Sequence, residues 1–160
     1  MFLGDDMLYE VLNKLNITYT ELEHKAVYTI EEALQEDIPS KIDGIECKNL
    51  FVKYKEHYYL IFLEASKRAD LKELAKLVQE PKLSFASEEE LQRILGLSIG
   101  SVTPLGIIHD QDCKVTLLLD QELIHQKVLV HPNVNTKTIS ISFEDLIHYI
   151  EYFNHSYILF

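Results

Sequence analysis

Glycine and proline are scarce in this chain, 5 and 4 of its 160 residues. So few leave no place for a long flexible linker, and the expected organisation is one domain over residues 1–160. No stretch approaches the roughly 18 consecutive apolar residues of a membrane-spanning helix, so a membrane is not an expected partner. The opening MFLGDDMLYEVL lacks the basic-then-apolar order of a signal peptide. The two cysteines, Cys47 and Cys113, stand far apart and form neither a metal-type nor a redox-type pair, which points to a reducing, cytoplasmic compartment. No two of the seven histidines are spaced H-x-x-x-H. There is no glycine-rich phosphate loop and no G-x-S-x-G elbow. Neither a metal nor a cofactor is expected.

Positive charge is also short. Fifteen basic residues face 26 acidic ones, for a net charge of −11. That argues against a protein that coats nucleic acid, though not against one that grips a few nucleotides. Nine of the fifteen basic residues fall within residues 41–82, against seven acids there, so this stretch is mildly basic inside an acidic chain. A solvated helix face explains it as simply as a binding surface does.

What is present is an ordinary globular balance, 47% apolar and 26% charged, with length enough for a sizeable core. Leu8, Val11, Leu12 and Leu15 predict an amphipathic helix, and ITYTELEH a strand. Thr29 with Glu32 caps a short helix. DIPSKIDG reads as a loop. Residues 46–63 form a hairpin around Lys55-Glu56-His57. Asp70 caps a helix with the stripe Leu71, Leu74, Ala75 and Val78. KLSFA is a short strand. Ser87 and Glu90 open a further helix that Gly96 stops. GLSIGSVTPLGII reads as a loop, CKVTLLLD as a buried strand, and KVLVHPN with TKTISIS as a second hairpin. Ser142 caps a last helix with the stripe Phe143, Leu146, Ile147 and Ile150. Strands in hairpins and strands separated by helices together predict an α+β domain, a mixed, largely antiparallel sheet with helices packed around it.

In the first hairpin strand, Lys48 shares a face with Leu50, Val52 and Tyr54, while Cys47, Asn49 and Phe51 share the other. A lysine heading an apolar row either snorkels to water from the strand's end or lines a pocket and meets an anion. Cys47 points away from Lys48, which therefore would not readily activate it as a nucleophile. Gly100 lets backbone approach a ligand or take positive φ, and Pro104 fixes the loop's exit; an ordinary turn would use the same residues. His131 ends an apolar strand before Pro132, as a structural hydrogen-bonder or a catalytic group. Asn133 and Asn135 are most simply turn residues.

Taken in order, EHKAVYTIEEA, GIECKNLFV, GSVTPLGII and HPNVNTKTISISFEDL resemble the YbaK-type aminoacyl-tRNA deacylases, the family that includes the insertion domain of bacterial prolyl-tRNA synthetase. The likeness covers residues 5 to 153. With Thr103 before Pro104, and with CKNLF and HPNVNT, it is nearest the free-standing branch that hydrolyses Ala-tRNA(Pro). The resemblance implies catalytic roles for Lys48, Gly100, Ser101 and His131, and pocket roles for Thr29, Val102, Pro104 and Asn135. Lys48 would hold the phosphate of the terminal adenosine, and Gly100 and Ser101 would receive the ester and its ribose hydroxyl. The implied partners are the aminoacylated acceptor end of tRNA and, as a candidate, prolyl-tRNA synthetase. With no room for a synthetase in 160 residues, editing in trans is expected. The rival expectations are a non-hydrolytic aminoacyl-tRNA or nucleotide binder on this fold, a deacylase for cysteine or serine, and a regulatory protein-interaction domain using the acidic surface.

Overall fold

The computed structural model describes residues 5–160; Met1–Gly4, where the signal-peptide reading begins, lie outside the described residues. Helix α1 (Asp5–Lys14) leads into strand β1 (Thr20–Glu23). Two short helices, α2 (Ile30–Gln35) and α3 (Ile38–Lys41), follow. The hairpin of β2 (Cys47–Tyr54) and β3 (His57–Glu64) turns on Lys55 and Glu56, with Lys55 at φ 53°. Then come α4 (Leu71–Leu77), β4 (Ser84–Phe85) and α5 (Glu88–Leu95). A 3₁₀ helix (Pro104–His109) precedes β5 (Val115–Leu119). The second hairpin is β6 (Lys127–Val130) with β7 (Lys137–Ser142), and α6 (Phe143–Tyr152) and β8 (Tyr157–Leu159) close the chain.

The class is α+β, with mixed and mostly antiparallel pairing. The strands divide into two sheets, β1-β7-β6 and β4-β2-β3-β5-β8. In the larger one β3-β5 and β5-β8 are parallel and the other pairs antiparallel. Local chemistry sets the helix starts as expected. Asp70 accepts from the amides of Lys72 and Glu73, and Ser87 and Glu90 form a full capping box closed by Gly96 in the left-handed region. Three elements depart from the sequence reading. DIPSKIDG contains α3, started by Pro39 in its first turn. GSVTPLGII contains the 3₁₀ helix, capped by Thr103. β8 has no signal in the sequence pattern; it is three residues long and is held by parallel pairing to β5.

The main core lies between the sheets. Cys47 and Phe51 of β2 and Leu60 and Phe62 of β3 meet Val128, Val130, Ile139 and Ile141 of the smaller sheet, closed by α1, α5 and α6. Tyr149 of α6 is fully buried and donates its hydroxyl to Leu105 O at 2.6 Å. On the other face of the large sheet, Val52, Ile61 and Leu63 pack on Leu74 and Ala75 of α4. On the outer face of the small sheet, Leu129 packs with Val27, Ala33, Ile38 and Ile42.

The two sheets are stitched at one point. Ile45, just before β2, forms a parallel bridge with Val128 of β6. Its amide donates to Lys127 O at 2.9 Å and its carbonyl accepts from Leu129 N at 3.0 Å. Gly44 makes the approach feasible: at φ 156°, a Cβ there would stand 2.6 Å from Leu129 Cδ2.

Candidate functional site

The stitch brings the start of β2 beside the end of β6, and a cavity of about 230 Å³ opens at that seam. Residues 46–49 form one wall, Leu129, Val130 and His131 a second, and the 27–30 segment a third. Gly100, Val102 and Thr138 complete the lining. The 27–30 wall is tied to the second hairpin's loop: Asn135 Nδ2 donates to Val27 O at 3.1 Å, and Val27 N donates to Asn135 O at 3.3 Å.

Five of the eight residues singled out from the sequence line this cavity: Lys48, Gly100, His131, Thr29 and Val102. Ser101, Pro104 and Asn135 are not among the lining residues. Ser101 is buried behind Gly100, with its amide donating to Ser98 O. Pro104 starts the 3₁₀ helix, which carries it into the interior. Asn135 braces the wall from outside.

Lys48 reaches the cavity by a route other than the apolar row it heads. Leu50, Val52 and Tyr54 pack beneath α4 and do not line the cavity. Lys48 lines it because β2 begins at the seam. Much of the surrounding basicity is consumed internally, as Lys53 pairs with Glu90 and Lys67 with Asp120 and Glu122. Lys48 has no ion pair or hydrogen bond among the described residues.

His131 donates from Nδ1 to Lys137 O at 3.0 Å, since a carbonyl can only accept. Burial, with nearby His24 in addition, outweighs that hydrogen bond and lowers its pKa, favouring the neutral ring. The neutral ring then carries its lone pair on Nε2, which has no partner among the described residues. Gly100, at φ 91°, lies against Tyr28, whose Cδ1 would be 2.6 Å from a Cβ at this position. Thr29 spends an acceptor site on the Glu32 amide at 3.0 Å as the cap of α2. Cys47 is buried, its thiol donating to Ile45 O at 3.3 Å. Burial pushes the thiol far up, and the charge of Glu46 adds to this, so no thiolate is available.

The sequence reading gave no role to Glu46, Asn49 or Thr138. Burial raises the Glu46 carboxyl to about 7. Glu46 Oε2 and Asn49 Oδ1 are buried without a hydrogen-bond partner among the described residues. Thr138 Oγ1 lies 2.8 Å from His24 Nε2. Asn49 stands inside the CKNLF motif, the one signal that could have found it. The seam therefore presents an unpaired ammonium, a bare imidazole nitrogen and unpartnered acceptors around a small space with apolar flanks.

The sequence model of the aminoacyl-tRNA editing domain matches residues 24–149. The prolyl-tRNA editing protein ProX of Acetoanaerobium sticklandii is 42% identical over 139 residues, 84% of this chain and 83% of ProX. The prolyl-tRNA synthetase associated domain-containing protein 1 of Danio rerio is 35% identical over 153 residues, 93% of this chain and 82% of that protein. Among solved structures, the hypothetical protein APE2540 superposes with a TM-score of 0.73 at 18% identity, over 94% of this chain and 95% of that one. A protein proposed as a trans-editing enzyme for prolyl-tRNA synthetase superposes at 0.71 with 21% identity, over 99% and 97%. At such identities the two structures speak for the fold alone.

Proposed function

The chain belongs to the aminoacyl-tRNA editing domain family, and on that premise we propose that it is a trans-editing hydrolase that deacylates mischarged Ala-tRNA(Pro). Water adds to the ester carbonyl, the bond to the ribose oxygen breaks, and free alanine leaves a tRNA with its terminal hydroxyl restored. The observation that carries this reading is the pairing, in one cavity, of a cation without a partner and a neutral histidine with a bare nitrogen.

An aminoacyl ester is already activated, so holding it and stabilising charge suffice without a protein nucleophile. Lys48 takes the phosphate of the terminal adenosine as a charge-assisted contact. His131 Nε2 accepts a hydrogen bond from the attacking water or from the neighbouring ribose hydroxyl and so orients it. Gly100, without a side chain, lets the loop close against Tyr28 and brings Val102 to the wall. About 230 Å³ is below the roughly 300–1,000 Å³ of sites for larger ligands, which suits the aminoacyl end with the rest of the tRNA outside. Val27, Val102, Leu129 and Val130 would admit a methyl group and clash with a proline ring, as a second sieve does.

Alanine, rather than cysteine or serine, rests on the likeness of CKNLF, IGSVTPLG and HPNVNT to the alanine branch. Action in trans as one editing domain is supported by curated relatives matched over more than four fifths of their own length, and the cytoplasm is the compartment that two unpaired cysteines suggest. Prolyl-tRNA synthetase is the proposed partner that supplies the mischarged tRNA. Single-turnover deacylation of Ala-, Cys-, Ser- and Pro-tRNA(Pro) tests the reading. Alanyl ester should be hydrolysed fastest and prolyl ester at least about tenfold more slowly, the equivalent of about 1.4 kcal/mol. Binding of all four without hydrolysis would make the protein a capture module instead.

A further inference from the structure

We propose that Glu46 and Asn49 form the subsite for the α-ammonium group of the aminoacyl ester. This rests on the deacylase reading above and adds to it the means by which the amino acid's charged end is held. Among the residues lining the cavity there is one acid, Glu46, and one lysine, Lys48. Neither is ion-paired, to the other or to any described residue. An acid and a lysine two residues apart on one strand could have neutralised each other, and here both charges are left for a ligand.

The three buried side-chain atoms that lack a hydrogen-bond partner among the described residues are Glu46 Oε2, Asn49 Oδ1 and Asn133 Oδ1. Two of them thus belong to one cavity wall, and both are acceptors. Buried acceptors are almost always partnered, and these two, sealed from the cavity in the free protein, lack a donor that a ligand can bring once the side chains turn toward it. No backbone amide serves them either, since neither oxygen accepts from any N–H among the described residues. The aminoacyl ester supplies one group with three donors and a positive charge, its ammonium. The substrate end is therefore dipolar, with a phosphate and an ammonium, and the wall carries one group of each opposite sign, Lys48 and Glu46. Burial leaves the carboxyl titrating near neutrality, so an incoming cation would draw it into its ionised form. His131 remains free for the water, and Glu46 is not needed as the base.

The test compares alanyl-tRNA(Pro) with lactyl-tRNA(Pro), in which a hydroxyl replaces the amine with little change in size. Both are assayed at single turnover near pH 7 and corrected for uncatalysed hydrolysis. The wild-type protein should prefer the alanyl ester by tenfold or more, as a charge-assisted contact warrants. In Glu46→Gln that preference should fall below threefold, and in Glu46→Asp, which keeps the charge on a shorter arm, a preference should persist. Equal rates on the two esters for the wild type would overturn the subsite while leaving the deacylase standing. A Glu46→Gln variant that retains the full preference would overturn it as well. A wild-type protein that hydrolyses neither ester would overturn the deacylase reading and the subsite together.

Discussion

Replacing Glu46 by glutamine should stabilise the free protein, and by more at high pH than at low. Burial raises this carboxyl from 4.5 to about 7 in the folded chain. Between those values the unfolded chain has released its proton and the folded chain still holds it, so stability falls as pH rises. Each pH unit across that window costs about 1.4 kcal/mol. From pH 5 upward the loss has a ceiling of about 3 kcal/mol and is complete a little above pH 7. Glu46 has one oxygen sealed but is only half-buried as a residue, so screening by solvent brings the expected figure to about 2 kcal/mol. Glutamine has no proton to lose, and every other titrating group is common to both proteins. Urea unfolding of the two at pH 5 and pH 8 isolates the effect. The stability difference, variant minus wild type, should grow by about 2 kcal/mol between the two conditions. A difference that is the same at both would show that the carboxylate is solvated when ionised, and the account of the cavity wall would fail with it.

Lys48→Ala should leave stability within about 0.5 kcal/mol, because the ammonium has no partner among the described residues to lose. It should slow deacylation about a hundredfold or more; a folded variant with near wild-type turnover would remove Lys48 from the mechanism. Cys47→Ser should keep most of the activity, since the thiol is held protonated, and a folded but inactive variant would restore a nucleophilic role. Asp110 lies buried against His155 Nε2 at 2.9 Å and accepts from the amides of Lys114 and Val115. Burial pushes its carboxyl up, but those hydrogen bonds prevail and hold it below its ordinary value. The stability it confers is present above about pH 4 and is lost as pH falls through the lower folded value. Asp110→Asn should cost roughly 1.5–3 kcal/mol near neutrality, the scale of lost hydrogen bonds to a charged group, and a loss in urea midpoint that does not shrink in acid would contradict the assignment.

Features set by neighbours in sequence were readable from it. The alternation of β2, the caps at Asp70, Ser87 and Ser142, and the stripe of α1 depend on residues a few positions apart. The division into two sheets, the stitch at Ile45 and the addition of β8 depend on pairings tens of residues apart, for which periodicity carries no signal. The same limit governs the site. Lys48, Gly100 and His131 were found through motif likeness, and the structure brings them to one cavity. The apolar row that Lys48 heads does not place it at the cavity, since Leu50 and Val52 belong to the layer under α4. Pro104 and Ser101 share the motif of Gly100, yet the chain turns inward at them. Glu46 and Asn49 are conspicuous only through the partners they lack, and that is a property of the assembled fold.

The stitch between Ile45 and Val128 also decides when this protein can be dangerous to its own substrates. A hydrolase for aminoacyl esters must spare the far more abundant correctly charged tRNAs. Two of its pocket walls come from separate sheets, and they stand opposite each other only after those sheets have docked. A chain in which either sheet is still unformed has a lysine and a histidine but no chamber to set them around an ester. Once docked, those two walls part only by breaking backbone hydrogen bonds at the seam, while the third, the 27–30 segment, is held to the second hairpin through Asn135. On the roles proposed for Lys48 and His131, discrimination by size and competence to cut would both depend on that one docking.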